Sequence, residues 1–326
     1  MSAEFPQYKS CYRGVTGMFR SFGFTAGPIL GGICSYTFTN LSEPFALFGA
    51  TLLAFCVSTF FLIPTRINEG PHKCDQVVEK LPIYMKQCSM WVGLTSVFLS
   101  GITSSFILTS LRDYTRHYDS SQPTDHFNIL YILICTSAAF SAPLWGRLCD
   151  NQCHPSILII CVSFLSILCL IFLGCKDLLH IYPTRELTVL GLILCGISQA
   201  GFWGCGYCSC LRSVKHVGVC IDCGSICFLA GLLYSTASLG AFLGAAVGGI
   251  LSDLIGFSLT CLVLICLTLC LILMCLLSSI INMCENMCGK SNENIIYEKI
   301  TLISYRNRNN IYYQTFLTHD SYRLLT

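Results

Sequence analysis

Gln199, Trp203 and Tyr207 stand four residues apart in a long apolar stretch. That spacing places side chains close together on one face of a helix. An amide and two aromatics so arranged suit the wall of a cavity. The faces of aromatic rings attract organic cations, so the ligand class this pattern fits is a small amine. Ser104 and Tyr234, in other apolar stretches, are candidates for the same lining. The same groups also suit helix packing, with polar atoms bonded across an interface. No nucleophile–base pair, metal-ligand cluster or phosphate loop accompanies them, so neither an enzyme nor a bound metal or cofactor is expected. Cys220 and Cys223 form a CxxC with no second pair nearby, too little for a zinc site.

A second pattern is made of glycines. Gly23, Gly27, Gly31 and Gly32 recur 217 residues later as Gly240, Gly244, Gly248 and Gly249, and Ser21 recurs as Ser238. Pro28 meets Ala245 and does not recur. Small residues let helix backbones approach closely inside a bilayer. Two copies running in the same direction read as a parallel internal repeat. Pro28 removes one backbone hydrogen bond and should bend its helix. The expectation is a kinked, close-packed helix that takes part in gating.

These elements need a membrane. The 326 residues are 54% hydrophobic and only 11% charged, against about 25% charged in soluble domains. No basic stripe points to nucleic acid. The fold class is therefore all-α and multipass, with the bilayer itself as a partner. Stretches of about 20 apolar residues suffice to span. Eight are legible, at 19–38, 44–63, 89–111, 129–145, 156–174, 187–211, 225–251 and 257–280. The seventh is long enough to need tilt or a broken end. Of the 19 Lys and Arg residues, 15 fall on the side that holds both termini, which places both termini in the cytosol. Most cysteines lie within apolar stretches, as Cys161, Cys169, Cys261, Cys266 and Cys270 do, and act there as small hydrophobes.

The organisation read from this pattern has four parts. Residues 1–64 hold two helices of an amino-terminal bundle, and 65–88 form a polar cytosolic linker between bundles. Residues 89–281 form a six-helix bundle, and 282–326 a cytosolic tail. Asn40-Leu41-Ser42 is a glycosylation sequon in a turn too short for use, and Tyr297-Glu298-Lys299-Ile300 has the form of a sorting signal. Cys284 and Cys288 follow the last stretch, where palmitoylation is chemically possible. The repeat pairs the first two helices with the last two, so four helices are expected to be absent from the amino-terminal side.

At this point the motifs resemble a known family. Gly23-Phe24-Thr25-Ala26-Gly27-Pro28 with Gly31 and Gly32 resembles the fifth-helix glycine–proline motif of major facilitator transporters, especially proton-coupled antiporters. Gly146-Arg147-Leu148-Cys149-Asp150 resembles that superfamily's loop motif after the eighth helix. The run from Leu229 to Gly244, with Gly248 and Gly249, is similar to the vesicular amine transporters, solute carrier family 18. Within them it is most similar to the polyamine-transporting branch. The resemblance covers Gly17 to Ile280 as helices five to twelve of twelve. It implies exchange of a small organic cation, a polyamine or monoamine, for protons across a vesicle or plasma membrane, with Arg147 and Asp150 as a charge latch. One departure is plain: the family's acidic residue in the seventh helix has Thr103, Ser104 and Ser105 in its place. No Asp or Glu lies well inside any stretch, and intramembrane acids are the usual proton relays. This chain alone is therefore not expected to run a full transport cycle. The alternatives are a non-transporting membrane protein acting through a partner, or an incomplete gene model.

Overall fold

A computed structural model describes residues 9–37, 42–62, 85, 87–118, 125–151, 154–174, 185–216 and 223–284. They form eight helices: α1 Lys9–Thr37, α2 Ser42–Leu62, α3 Cys88–Tyr118, α4 Asp125–Asp150, α5 Pro155–Gly174, α6 Arg185–His216 and α7 Cys223–Ile255, then α8 Phe257–Cys284. Contacts divide the chain into Met1–Leu276 and Leu277–Thr326. Everything below concerns the first unit; of the second, only the helical residues 277–284 are described. Most of the 65–88 linker, the 282–326 tail beyond Cys284, Asn40 and Cys220 lie outside the described residues.

Seven of the eight helices, α2 to α8, are long and apolar enough to cross a membrane. The expectation of eight such stretches needs a correction at the first. The α1 helix starts ten residues before Phe19, at Lys9, and includes Arg13 and Arg20, so its apolar character is diluted by charge. The fourth stretch, short in sequence, is a full helix of 26 residues because it continues through Gly146-Arg147-Leu148-Cys149-Asp150.

The core is built around α3 and α6. Three clusters of buried side chains all draw on both helices. Val92 and Leu99 pack with Trp145, Val162 and Phe202 in the first. Phe106 and Leu192 pack with Cys169, Leu170 and Phe257 in the second. Met90, Leu94 and Val97 pack with Tyr207, Leu229 and Leu233 in the third. Polar groups tie α6 to α3 and to α4. Ser209 Oγ donates to the Ser89 carbonyl at 2.8 Å, and Trp145 Nε1–H donates to the Ile197 carbonyl at 3.0 Å. Such bonds add about 0.6 kcal/mol each between helices in lipid.

Glycines set the helix spacing where α3 meets α7. A Cβ added at Gly240 or Gly244 would run into the carbonyl oxygens of Phe98 or Ile102, and one at Gly101 into that of Ala237. The equivalent positions on α1 differ. A Cβ at Gly23 or Gly27 would meet nothing within 4 Å. The expected close contact at the first copy of the repeat is thus not present in this structure. The reason is the face used: α1 packs on α4 through Gly17 beside Ala142 and Phe22 edge-on to Phe140 at 6.0 Å. The surroundings of Pro28, Gly31 and Gly32 lie outside the described residues.

The α2 helix is different in kind. Its apolar window has none of its residues buried; Phe45 is 74% and Phe60 82% exposed. Cysteines divide by face as expected of small hydrophobes: Cys169 and Cys261 are buried, whereas Cys161, Cys266 and Cys270 point outward. The long seventh stretch runs unbroken to Ile255. A single residue, Gly256, with φ of +90°, then connects it to α8. That backbone conformation favours glycine. The Gly256 amide closes α7 on the Ser252 carbonyl at 3.0 Å, and the Gly256 carbonyl accepts the first bond of α8, from the Thr260 amide at 3.2 Å.

Candidate functional site

A cavity of about 400 Å³ opens between α1, α3, α4, α6 and α7. Sites for small molecules commonly fall in the range of about 300–1,000 Å³. The α1 helix contributes Arg20, Ser21 and Phe24; α3 contributes Ser104; α4 contributes Tyr131 and Cys135; α6 contributes Gln199 and Trp203; α7 contributes Tyr234 and Ser238. Four of the five residues expected to bind substrate therefore converge: Ser104, Gln199, Trp203 and Tyr234.

The fifth does not. Tyr207 is 4% exposed and packs with Met90, Leu94 and Val97 of α3. The reason lies in helix geometry. At 3.6 residues per turn, each step of four advances about 40° around the axis. From Gln199 to Tyr207 the drift is about 80°, enough to turn the ring from the cavity into the α3 contact.

Gln199 is held by α3. The hydroxyl of Ser100 donates to its Oε1. Its Nε2 has no hydrogen-bond partner in the protein, although the residue is only 9% exposed. A buried amide left unsatisfied costs about 1–3 kcal/mol, which a bound molecule would offset. Rotation of the amide by half a turn would instead offer Oε1 to the cavity and Nε2 to Ser100, so the group serves either an acceptor or a donor.

The feature that sequence reasoning missed is Arg20. Orientation takes it as one of the cytosolic-side cations at the edge of the first stretch, yet it lies inside α1, eleven residues after Lys9, about 16 Å along the helix. Its guanidinium carbon sits 4.2 Å from the centre of the Trp203 ring and 5.9 Å from that of Tyr234. The two rings are 5.1 Å apart, tilted by 49°. A signal was present: an arginine between Phe19 and Ser21, four residues before Phe24, at the edge of an apolar run. An ionisable residue inside a membrane helix is by default a functional candidate. The acids stand elsewhere. Of the acids whose side chains are described, Glu43, Asp150, Glu186 and Asp253 each lie within three residues of a helix end.

A second, smaller cavity of about 260 Å³ touches the first. It shares Arg20, Ser21, Ala200, Trp203 and Tyr234 with it and adds Thr16, Gly17, Ala142 and Gly204.

Gly146, Arg147 and Asp150 are placed differently from expectation. They form the last turn of α4 rather than a loop, and Asp150 closes that helix instead of standing at the start of the next, which begins at Pro155. Gly146 is buried and Arg147 exposed; a cation in the last turn is favoured by the helix dipole.

Comparison with known proteins adds kinship to this geometry. The chain is 27% identical over 274 residues to the MFS-type transporter SLC18B1 of Mus musculus, covering 79% of this chain and 55% of that protein. The Rattus norvegicus and Homo sapiens proteins of the same name are each 24% identical over 262 residues, with the same shares covered. The chain thus spans about half the length of the curated relatives it matches. The family model described as Major Facilitator Superfamily matches residues 12–221 and 93–280. With most of its length matched and an all-helical, multipass architecture, the chain belongs to the Major Facilitator Superfamily.

Proposed function

We propose that the cavity is a wall of the substrate pathway of a transporter that moves a small organic cation, a polyamine or monoamine, in exchange for protons across a vesicle membrane. The observation that supports the cation is Arg20 over Trp203 and Tyr234: the aromatic pair already holds a positive group. Each such contact contributes about 0.5–1 kcal/mol when exposed and about 2 when desolvated. Ser104 and the Gln199 amide supply polar contacts beside it. The resemblance of the run from Leu229 to Gly249 to vesicular amine transporters supports the same class. Proton exchange rests on that resemblance alone, because the acids whose side chains are described stand at helix ends. In this reading the glycine helices, Gly23 to Gly32 with Pro28 and Gly240 to Gly249, seal one end of the pathway, and Arg147 with Asp150 latches the other.

The test is binding of radiolabelled spermidine to the purified full chain in nanodiscs, with unlabelled competitors. Displacement by spermine or a monoamine and not by a dicarboxylate is expected. Displacement by the dicarboxylate alone, or by neither amine, would overturn the cation reading. In Trp203→Leu the loss should be about tenfold or more.

A further inference from the structure

The two cavities lie on opposite sides of one cluster. Thr16 of α1, Ala142 of α4 and Gly204 of α6 line the smaller chamber. Phe24, Tyr131 and Cys195 of the same three helices line the larger. Along α1 the order is Thr16, Arg20, Phe24. Along the antiparallel α4 and α6 it reverses, so all three helices agree on one axis. Arg20, Trp203 and Tyr234 line both chambers and sit between them.

We infer that Arg20 is a tethered cation that closes the passage between the two chambers by occupying the aromatic pair a cationic substrate would use. Two cations cannot share one pair of ring faces in a low-dielectric cavity: their repulsion at contact distance exceeds what either gains from the rings. Substrate arriving in the larger chamber must therefore displace the guanidinium from Trp203. Displacement both seats the substrate and opens the partition toward the smaller chamber. The side chain has the reach for this, because a long flexible stem carries its charge. Binding and opening are then the same event, so an empty carrier keeps its chambers separate and a loaded one joins them. Arg20 on this account lowers resting affinity and sets the threshold for occupancy; it is a specificity-determining residue that acts by competition.

This inference rests on the cation reading of the site, and its test separates the two. Spermidine binding is measured for the full chain and for Arg20→Met, Arg20→Lys, Trp203→Leu and the double variant Arg20→Met/Trp203→Leu, each first checked for a monodisperse, cooperatively melting protein. Removing the competitor should tighten binding about tenfold in Arg20→Met. Arg20→Lys keeps a tethered cation and should stay near the parent. The gain should vanish in the double variant, because competition needs the ring. Tryptophan fluorescence should shift on adding spermidine to the parent, as the guanidinium leaves Trp203, and shift less in Arg20→Met. Equal or weaker binding by Arg20→Met, in a parent that does bind spermidine, would overturn the tethered-cation inference and leave the cation reading standing. A tenfold gain that persists without Trp203 would overturn it too, since the arginine would then act by general repulsion. Absence of spermidine binding in every variant would overturn the cation reading, and this inference with it.

Discussion

Gln199 is the side chain whose chemistry is least settled by packing. Its Oε1 is engaged by Ser100 and its Nε2 is unpartnered within the protein. Leucine at this position has nearly the same volume and no polar atoms. Leucine removes the unpartnered Nε2 but takes the acceptor from the buried Ser100 hydroxyl, and these two opposing terms of about 1–3 kcal/mol each largely offset. We therefore expect Gln199→Leu to leave the melting temperature within about 2 °C of the parent while weakening spermidine binding about threefold to tenfold. Unchanged binding together with a lower melting temperature would assign Gln199 to packing alone. Residue identities at this site were largely legible in the sequence, because aromatics and amides at helical spacing are a recognisable pattern. Two side chains escaped it for opposite reasons. Tyr207 shares the spacing but drifts off the face. Arg20 lies on the cavity face but, at the edge of the first stretch, its charge reads as one of the cytosolic-side cations that set orientation.

At the scale of elements, the repeat gives the clearest contrast. Gly240 and Gly244 sit where α7 touches the α3 backbone, whereas a Cβ at Gly23 or Gly27 would meet nothing within 4 Å. Bulky side chains at the first pair must push two helices apart, an overpacking cost of about 1–3 kcal/mol or more. We expect Gly244→Leu to lower the melting temperature of the purified chain by several degrees. Gly27→Leu, with Leu30→Phe as an exposed control, should have little effect. Equal losses at Gly27 and Gly244 would mean that α1 has a close neighbour not seen in this arrangement. The sequence announced glycine helices correctly but not which faces they use, since a glycine pattern is the same whether a partner is present or not. Helix boundaries were legible in α2, α5 and α8, where apolar runs end abruptly. They were short in α4, because hydropathy stops at Trp145 while the helix continues through Gly146 to Asp150.

For the whole molecule, the positions of α2 to α8 followed from hydropathy among the described residues, as the bilayer demands backbone hydrogen bonds be satisfied within each span. Orientation rests on the distribution of Lys and Arg. Moving Arg20 from the loops into α1 leaves that bias in the same direction. A tag after Thr326 should be reached by antibody once the plasma membrane alone is permeabilised; labelling only from the lumenal side would reverse the topology. Coupling to a proton gradient requires an ionisable group that changes charge at membrane depth. The acids whose side chains are described sit at helix ends, with Glu186 and Asp253 both exposed. Reconstituted alone with an imposed pH gradient, the chain should bind spermidine without accumulating it. Accumulation abolished by collapsing the gradient would overturn this and direct attention to Glu186 and Asp253.

The single-residue joint at Gly256 has a consequence for biogenesis. With α7 ending at Ile255 and α8 beginning at Phe257, there is no loop between them to be held, released or charged. During synthesis the translocation machinery cannot commit α7 and then decide about α8 separately. The two enter the bilayer as one unit, joined on a glycine whose backbone conformation other residues rarely adopt. A β-branched residue at 256 would act before folding is complete. Its mark would be a fraction of chains with the last helix left outside the membrane, and therefore degraded, beside the strain that the substitution puts on the mature fold.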